Sequence, residues 1–273
     1  DTIQSRGLGD VYKRQMFVCI PYLARKYKVA YVLEPAHFWP FFVPNKAKSI
    51  TVIHDLSPIL FPKFHVFHSA VLQCCFLKRI LLTTDIILSN SRSTTSDLLN
   101  YLPKEHQKKI YTLPLWRDDF FCRTQEDSAL EKYHITSPFF LTVGTIEPRK
   151  NHTTILTAFE QFCKEHGTNY QLVIAWGLGW KYSNVLKAIR EHSYPDHIRQ
   201  IGYVSKTELR ELYSHATCCV YASVYEGFWF PILESFACET PCVAARNSSL
   251  TEVGWDMCIY LSLIHISEPT RLD

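Results

Sequence analysis

The sequence has little net charge, no zinc-binding cysteine spacing and no long uninterrupted apolar segment. Its formal net charge of +3 gives no case for nucleic acid as a partner. The ten cysteines form no Cys-x-x-Cys pair and no zinc pattern with nearby histidines, so we expect no metal site and reduced core cysteines of a cytosolic protein. The most apolar segment, SAVLQCCFLKRILL, is interrupted by Lys78 and Arg79, and it is too short and too charged to span a bilayer.

Glycine is scarce as well, and the glycines nearest the start do not indicate a phosphate-binding loop. Gly7 and Gly9 stand close to basic residues in SRGLGDVYKRQ, but no apolar strand precedes them, as such a loop requires. Codons exist for which Ile3–Gln15 is the reverse complement of Leu261–Asp273, thirteen residues in order, and that DNA resembles a transposase-type sequencing adapter. We therefore expect residues 1–15 and 261–273 to be translated adapter sequence that packs in neither sheet.

The rest of the chain alternates short β-rich runs with helical patterns. Runs such as DIILSNS and PFFLTVGT alternate with helical patterns such as RSTTSDLLNYL and NHTTILTAFEQFCKEH, which is typical of a parallel sheet covered by helices on both faces. The alternation restarts after the charged segment WRDDFFCRTQEDSALEKYHITS, which indicates a domain boundary between Pro114 and Ser137. We predict an α/β protein with two Rossmann-like, doubly wound parallel-sheet domains, residues 16–125 and 126–260, facing a cleft. In such folds ligands collect at the carboxyl ends of the strands.

The segment SVYEGFWFPILESFACETPCVAARNSSLTEV carries two carboxylates eight positions apart. Glu226 precedes a helix that Pro231 helps to start, and Glu234 is expected in its first turn, so the two can bracket a ligand at the helix N-terminus. Eight helical residues span about 12 Å, which is too far for the roughly 5 Å carboxylate pair of a retaining hydrolase. The carboxylates suit sugar and ribose hydroxyls, although they would also read as solvated charges near a helix end.

This segment resembles the E-x7-E signature of retaining GT-B glycosyltransferases of family 4, the glycosyl transferases group 1 proteins. The segment FLTVGTIEPRKNHTTILTAF resembles the opening of that family's second domain, and TVIHDLSP and LSNSRSTTSDL resemble parts of its first. The resemblance covers nearly all of residues 16–260 and implies the GT-B fold. The matching residues of the signature are Glu226, Gly227, Phe228, Pro231, Glu234, Ala237, Pro241 and Val243.

The resemblance also implies roles for individual residues. Glu226 would contact the hydroxyls of the donor sugar, with Gly227 and Phe228 shaping the turn around it. Glu234 would hold the ribose hydroxyls. Cations that follow the LTVGT strand, Arg149 and Lys150, would neutralise the diphosphate as it leaves. A catalytic histidine, His54, would reach the donor from the end of the TVIHD strand. Without the resemblance, the two cations would read as an exposed basic turn and the histidine as a structural residue.

Three residues depart from the family pattern. Trp229 and Glu239 stand where the family has glycine, so Trp229 must point away from the donor pocket or narrow it, and Glu239 lies where glycine relieves strain at a helix end. Thr145 stands where many members carry a phosphate-binding arginine, a task that Arg149 can take over. The glycine-rich loop of the first domain and the terminal helices are also missing. We therefore expect two incomplete domains, an internal fragment of a longer enzyme that is inactive as it stands, with an exposed sheet edge.

The expected function is that of a retaining glycosyltransferase. It would move a sugar from a nucleotide-diphosphate sugar to an acceptor hydroxyl on a carbohydrate or lipid-linked glycan, without cofactor or metal. The segment VGTIEPRKN resembles bacterial mannosyltransferases of surface polysaccharide assembly, which favours GDP-mannose as the donor. The expected location is the cytoplasm, with a peripheral membrane contact to which HFWPFFVP could contribute unless it is packed core. The alternatives are a GT-B phosphorylase or epimerase, and an inactive module that binds nucleotide sugars.

Overall fold

The computed structural model describes residues 18–35, 47–65, 67–136 and 138–261. The chain divides into two compact units, of which the first ends at Leu115 and the second begins at Trp116. Each unit is built around a parallel β-sheet flanked by helices. The predicted α/β class with two parallel sheets is therefore confirmed. The segment HFWPFFVP, residues 1–15 and residues 262–273 lie outside the described residues.

The first unit contains a four-stranded sheet in the order β1-β2-β3-β4, and all of its strand pairs are parallel. Its strands are β1 (Tyr31–Glu34), β2 (Lys48–Ile53), β3 (Ile86–Ser89) and β4 (Ile110–Thr112). Its helices are α1 (Ile20–Lys26), α2 (Ser57–Leu60), α3 (Phe67–Thr83), α4 (Arg92–Tyr101) and α5 (Lys104–Gln107).

Helix α4 begins where the serine- and threonine-rich sequence predicts a helix start. The Ser91 hydroxyl caps it by accepting a hydrogen bond from the backbone N–H of Thr94 at 2.9 Å. The helix then packs on the sheet through Leu98, which is fully buried in one cluster with Ile53 and Ile87. An apolar core under the sheet therefore fixes the carboxyl ends of β2 and β3 in the first unit.

The second unit contains a six-stranded parallel sheet in the order β10-β9-β8-β5-β6-β7. Its strands are β5 (Phe139–Val143), β6 (Gln171–Ala175), β7 (Ile198–Gly202), β8 (Cys218–Tyr221), β9 (Cys242–Ala245) and β10 (Cys258–Leu261). Its helices are α6 (Ser128–Lys132), α7 (His152–His166), α8 (Ser183–Arg190), α9 (Lys206–His215), α10 (Phe230–Ala237) and α11 (Ser248–Gly254). The turn Pro148–Lys150 is a short 3-10 helix before α7.

Both faces of this sheet are covered by apolar side chains. Successive strand residues point to opposite faces, so Leu141 and Val173 enter one core, with α9 and α10, while Leu172 and Ile174 enter the other, with α7. This double burial explains why β5 and β6 read as continuously apolar runs rather than alternating ones.

The order of the strands reverses next to β5. The chain runs from β5 outward through β6 and β7, and it then returns to the other side of β5 as β8, followed by β9 and β10. Strands β5 and β8 are direct neighbours, with Leu141 opposite Cys219. Helices that leave two such strands diverge onto opposite faces, which opens a crevice at their carboxyl ends, the usual ligand site of an open α/β sheet.

Two boundaries differ from those expected from the sequence. Residues 116–125 belong to the second unit and not to the first, because Phe121 packs edge-to-face on Tyr213 with 5.9 Å between ring centroids. The boundary therefore lies near the start of the interval expected between Pro114 and Ser137. Leu261, assigned to the adapter-like end, is instead the last residue of β10, where its carbonyl accepts from the N–H of Arg246 at 2.9 Å. Strand pairing uses only backbone groups, so any residue that continues an extended chain can join the edge.

Glu239 occupies a left-handed position at the end of α10, with φ of +60°. The N–H of Glu239 bonds to the carbonyl of Phe236, and that of Thr240 bonds to Ser235, both at 2.9 Å, which is the Schellman arrangement that favours glycine. The side chain gains only a surface ion pair with Arg123, at 3.2 Å.

Replacing Glu239 by glycine is expected to raise the free energy of unfolding by about 1 kcal/mol, because glycine has no Cβ to strain this backbone conformation. Urea denaturation measures the change. The matched control is Glu239→Ala, which loses the same ion pair but keeps the Cβ, and it should give no gain. Equal effects of the two substitutions would show that the backbone is unstrained here.

Candidate functional site

The candidate site lies at the point where the strand order reverses, on two loops that leave neighbouring strands. The turn Pro148–Lys150 follows β5, and Glu226 follows β8. The two loops are joined by a backbone hydrogen bond from the N–H of Val224 to the carbonyl of Arg149, at 2.9 Å. The parallel sheet thus brings together groups that lie 76 and 77 positions apart in the sequence.

Glu226 lies between two cations. Its Oε2 accepts from Arg149 Nη1 at 2.5 Å, and its Oε1 accepts from Lys150 Nζ at 2.6 Å. Arg149 also donates to the Tyr225 carbonyl at 2.9 Å and to the Glu147 carboxylate at 2.7 Å. We call Glu147, Arg149, Lys150 and Glu226 the charge cluster. Two carboxylates offset two cations in it, so the charges that would receive a diphosphate are already matched within the protein.

Burial dominates the electrostatics of the charge cluster. Glu226 and Glu147 are 3% and 2% exposed, respectively, and Lys150 is 7% exposed. Burial lowers the pKa of Lys150 to about 8, although the Glu226 carboxylate favours its charged form. Burial likewise raises the pKa of Glu147 against the attraction of Arg149 and Lys150. Low exposure strengthens each ion pair in the cluster and makes the loss of one partner costly.

Trp229 forms one wall of this site. Lys150 Nζ lies 3.2 Å from the centroid of its ring, so the cation is held between the indole face and Glu226. The outer edge of the indole lies against Gly144, where an added Cβ would meet Trp229 Cη2 at 3.1 Å. Of the two outcomes that the sequence left open for this tryptophan, the structure places the ring beside the candidate phosphate-binding cation.

The backbone around Glu226 is fixed by the start of α11. The N–H of Glu226 donates to the Ser248 hydroxyl at 2.9 Å, and its carbonyl accepts from the N–H of Ser249 at 3.3 Å. Asn247 Nδ2 donates to the Ser223 carbonyl at 2.9 Å. The segment NSS therefore holds the loop after β8 in place, and the position of the carboxylate does not depend on the charge cluster alone.

The other residues expected near Glu226 make different contacts. Gly227 is buried directly after it, and Phe228 packs edge-to-face on Phe230 with 5.0 Å between centroids. Helix α10 begins at Phe230, so Glu234 is its fifth residue and not part of the first turn, contrary to the prediction. Its Oε2 accepts a hydrogen bond from the hydroxyl of buried Tyr213 at 2.9 Å, and burial raises the pKa of the Glu234 carboxyl.

His54 lies at the carboxyl end of β2 in the first unit, as predicted for its position in the chain. The ring is exposed, and its Nε2 is 2.7 Å from the Pro35 carbonyl beyond β1. A carbonyl can only accept, so this nitrogen carries the proton in the neutral ring. His54 belongs to the first unit and Glu226 to the second, and the catalytic role of this histidine stays a prediction.

Two of the residues around Glu226 were not expected from the sequence as parts of a site. Glu147 reads as an exposed turn residue beside a proline, yet it is buried and paired with Arg149. Ser248 lies in a segment that resembles the family signature, but the sequence alone assigns this residue no role of its own. A carboxylate placed two residues before a basic pair at a strand end was the available signal. Thr145, which stands where many members of the family carry an arginine, packs through its methyl group. A Cβ added at Gly179 would lie 2.6 Å from Thr145 Cγ2.

The described residues show neither a metal cluster nor a membrane span. Within these residues, no group of three or more histidine, cysteine, aspartate and glutamate side chains could hold a metal ion. No helix in the described part of the chain is long and apolar enough to cross a membrane.

The second unit matches the model of a known protein family. Residues 125–254 match the model of the family described as Glycosyl transferases group 1. This range contains the whole charge cluster and the turn after β8. The second unit is therefore similar to a Glycosyl transferases group 1 domain.

Similar proteins agree with this assignment. The chain is 29% identical over 220 residues to the O-antigen chain mannosyltransferase B of Escherichia coli, which covers 79% of this chain and 58% of that protein. Among solved structures, sucrose-phosphate synthase from Thermosynechococcus elongatus superposes with a TM-score of 0.71 and 18% identity, and the alignment covers 90% of this chain and 64% of the synthase chain. Anabaena Alr3699/HepE in complex with UDP-glucose covers 76% and 55% with a TM-score of 0.61 and 12% identity. The two solved structures share their fold with this chain, which spans just over half of the mannosyltransferase.

Proposed function

We propose that this chain is part of a retaining glycosyltransferase that transfers a hexose from a nucleotide-diphosphate sugar to an acceptor hydroxyl. The observation that carries the proposal is the buried charge cluster at the point where the strand order reverses, inside the matched family domain. Two cations there can exchange their bonds to protein carboxylates for bonds to a diphosphate. The freed Glu226 carboxylate can then accept hydrogen bonds from the hydroxyls of the donor sugar.

The cations act on the leaving group. As the bond from the sugar to the diphosphate breaks, negative charge grows on the phosphate oxygens, and Arg149 and Lys150 stabilise it in a site with little water. Arg149 offers a planar fork that can hold two oxygens, whereas Lys150 offers a single point of charge. Gly227 and Phe228 shape the turn that carries Glu226. The reaction needs no cofactor or metal in this scheme.

Glu234 and His54 complete the proposed set. Glu234 would accept from the ribose hydroxyls while Tyr213 holds its other side, which fixes the carboxylate in one orientation. His54 would act as a catalytic residue through the ring nitrogen opposite the one held by Pro35. Both assignments rest on the family resemblance together with these contacts.

The donor and acceptor follow from the relatives. The similarity to an O-antigen chain mannosyltransferase supports GDP-mannose as the donor and a polysaccharide or lipid-linked glycan as the acceptor. UDP-glucose, bound by Alr3699/HepE, is the second donor to be tested. Action on a lipid-linked glycan would place the protein in the cytoplasm, in peripheral contact with the inner face of the membrane.

The test combines calorimetry on this chain with product analysis on the full-length protein, since the chain spans just over half of the mannosyltransferase that it resembles. Calorimetry with GDP-mannose and UDP-glucose should detect binding of one donor, and NMR of the product should show that the anomeric configuration of the donor is kept. Binding without transfer would favour an inactive nucleotide-sugar-binding module. The equal numbers of carboxylates and cations in the charge cluster are consistent with that alternative. Formation of a sugar phosphate from inorganic phosphate would indicate a phosphorylase, and conversion of the donor an epimerase. Absence of both binding and transfer would reject the proposal.

The affinity for a nucleoside diphosphate should depend on pH through Lys150. The ammonium loses its proton as the pH rises through about 8, and the neutral amine no longer attracts the diphosphate. We expect UDP to bind about tenfold more weakly at about pH 9 than at about pH 7. The control is Lys150→Arg, which keeps its charge over this range and should flatten the profile. An equally steep profile in Lys150→Arg would assign the pH dependence to another group.

A further inference from the structure

The indole N–H of Trp229 is a buried donor. Its Nε1 has no hydrogen-bond partner among the residues that the structure describes, although most buried polar atoms in folded proteins have one. Two further atoms beside the charge cluster share this condition, His152 Nδ1 and Ser249 Oγ. Burial lowers the pKa of the His152 ring, and the nearby charge of Lys150 lowers it further. Ser249 donates its backbone N–H to the Glu226 carbonyl. Unpaired polar atoms therefore gather around one place in the second unit.

The contacts of the Trp229 ring show where its N–H lies. Lys150 covers the face of the ring, and Tyr221 packs at 78° to it with 6.0 Å between centroids. The Cζ2 and Cη2 atoms lie against Gly144, just beyond the carboxyl end of β5. In an indole, Nε1 is joined through Cε2 to Cζ2, so the N–H stands on the edge of the ring that faces Gly144. Lys150 Cε lies 3.7 Å from the position of a Cβ added at Gly144, so this edge of the ring lies beside the side chain of Lys150.

We propose that the indole N–H of Trp229 donates a hydrogen bond to a phosphate oxygen of a nucleoside diphosphate bound at the charge cluster. The inference rests on the proposed function and adds a binding residue to it. A diphosphate fits a neutral donor beside two cations, because different oxygens of it can accept from the indole and from the cations. An acceptor hydroxyl or an apolar ligand would leave the cations to their carboxylates and would gain nothing from the position of the indole.

The test separates the N–H from the ring. Trp229→Phe keeps an aromatic face for Lys150 but removes the donor, and Trp116→Phe is the control, since Trp116 is 77% exposed. Calorimetry with GDP and UDP should show about tenfold weaker binding by Trp229→Phe, equivalent to about 1.4 kcal/mol, and unchanged binding by Trp116→Phe. For guanosine and uridine, which lack phosphate, the affinities of Trp229→Phe and of the unaltered chain should differ far less.

A second measurement does not depend on the variant's stability. In the unaltered chain labelled with ¹⁵N-tryptophan, the indole N–H resonance of Trp229 should move downfield when GDP or UDP is added, and it should be protected from exchange with solvent.

The outcomes also separate this inference from the proposed function. Binding of GDP or UDP with equal or higher affinity by a folded Trp229→Phe, or an indole resonance that does not respond to bound nucleotide, would overturn the inference alone. Failure of the unaltered chain to bind either nucleotide would overturn the proposed function and this inference with it.

Discussion

Glu226→Ala is expected to lower the free energy of unfolding of the second unit by about 3–5 kcal/mol, since it leaves buried Lys150 without its carboxylate and removes one of the two carboxylates bound by Arg149. In the full-length protein, sugar transfer should fall by at least about 100-fold, because the contact with the donor sugar is proposed to strengthen as the diphosphate departs. Urea denaturation followed by tryptophan fluorescence suits the first measurement, because Trp39 is the one tryptophan that precedes the second unit. A transfer assay with GDP-mannose gives the second.

Two controls separate the stability of the site from its chemistry. Glu226→Gln keeps the shape of the side chain and one accepting oxygen, so it should lose less stability than Glu226→Ala while remaining deficient in transfer. Glu165→Ala removes an exposed carboxylate of α7 and should change neither quantity. Full stability of Glu226→Ala would contradict the buried ion pairs, and full transfer by Glu226→Gln would contradict the proposed role of the carboxylate.

The sequence alone predicts where the residues of the charge cluster lie along their strands, but not that they contact one another. The alternation of strands and helices places Arg149, Lys150 and Glu226 after strands, and the rule for parallel sheets places them at one edge. Their direct contact requires that β5 and β8 be neighbours, which depends on the strand order. Hydrophobic periodicity reports which residues are buried, but it does not report which buried strands pair.

The residues that the sequence misplaced share a physical cause. Glu147 is charged and stands next to a proline, so local composition indicates exposure, whereas Arg149 neutralises it in a buried position. Strand β10 was missed because four residues at a sheet edge carry little periodic signal. Helix α6 was missed because it has five residues in a charged segment, and its burial comes from Ala129 against the core. In each case a tertiary partner outweighs the local pattern.

Arg149→Ala is expected to weaken the binding of GDP or UDP by about 10–100-fold, the equivalent of about 1.4–2.8 kcal/mol, because it removes a charged donor to the diphosphate. It should also destabilise the second unit, since Glu147 then loses its partner while 2% exposed, and burial already raises the pKa of that carboxyl. Calorimetry measures the affinity, and urea denaturation measures the stability. Arg149→Lys keeps the charge but cannot bridge two carboxylates with one planar group. Its affinity and stability should therefore lie between those of Arg149→Ala and of the unaltered chain.

The double variant Arg149→Ala with Glu147→Gln distinguishes the two roles of this arginine. Removing the charge of Glu147 abolishes the unpaired buried carboxylate, so most of the lost stability should return. The affinity for the diphosphate should stay low, because a neutral amide does not replace the guanidinium as a cation. If affinity and stability recovered together, Arg149 would act only by holding the loops after β5 and β8 in place. If neither recovered, the pairing of Arg149 with Glu147 would not be what stabilises this part of the second unit.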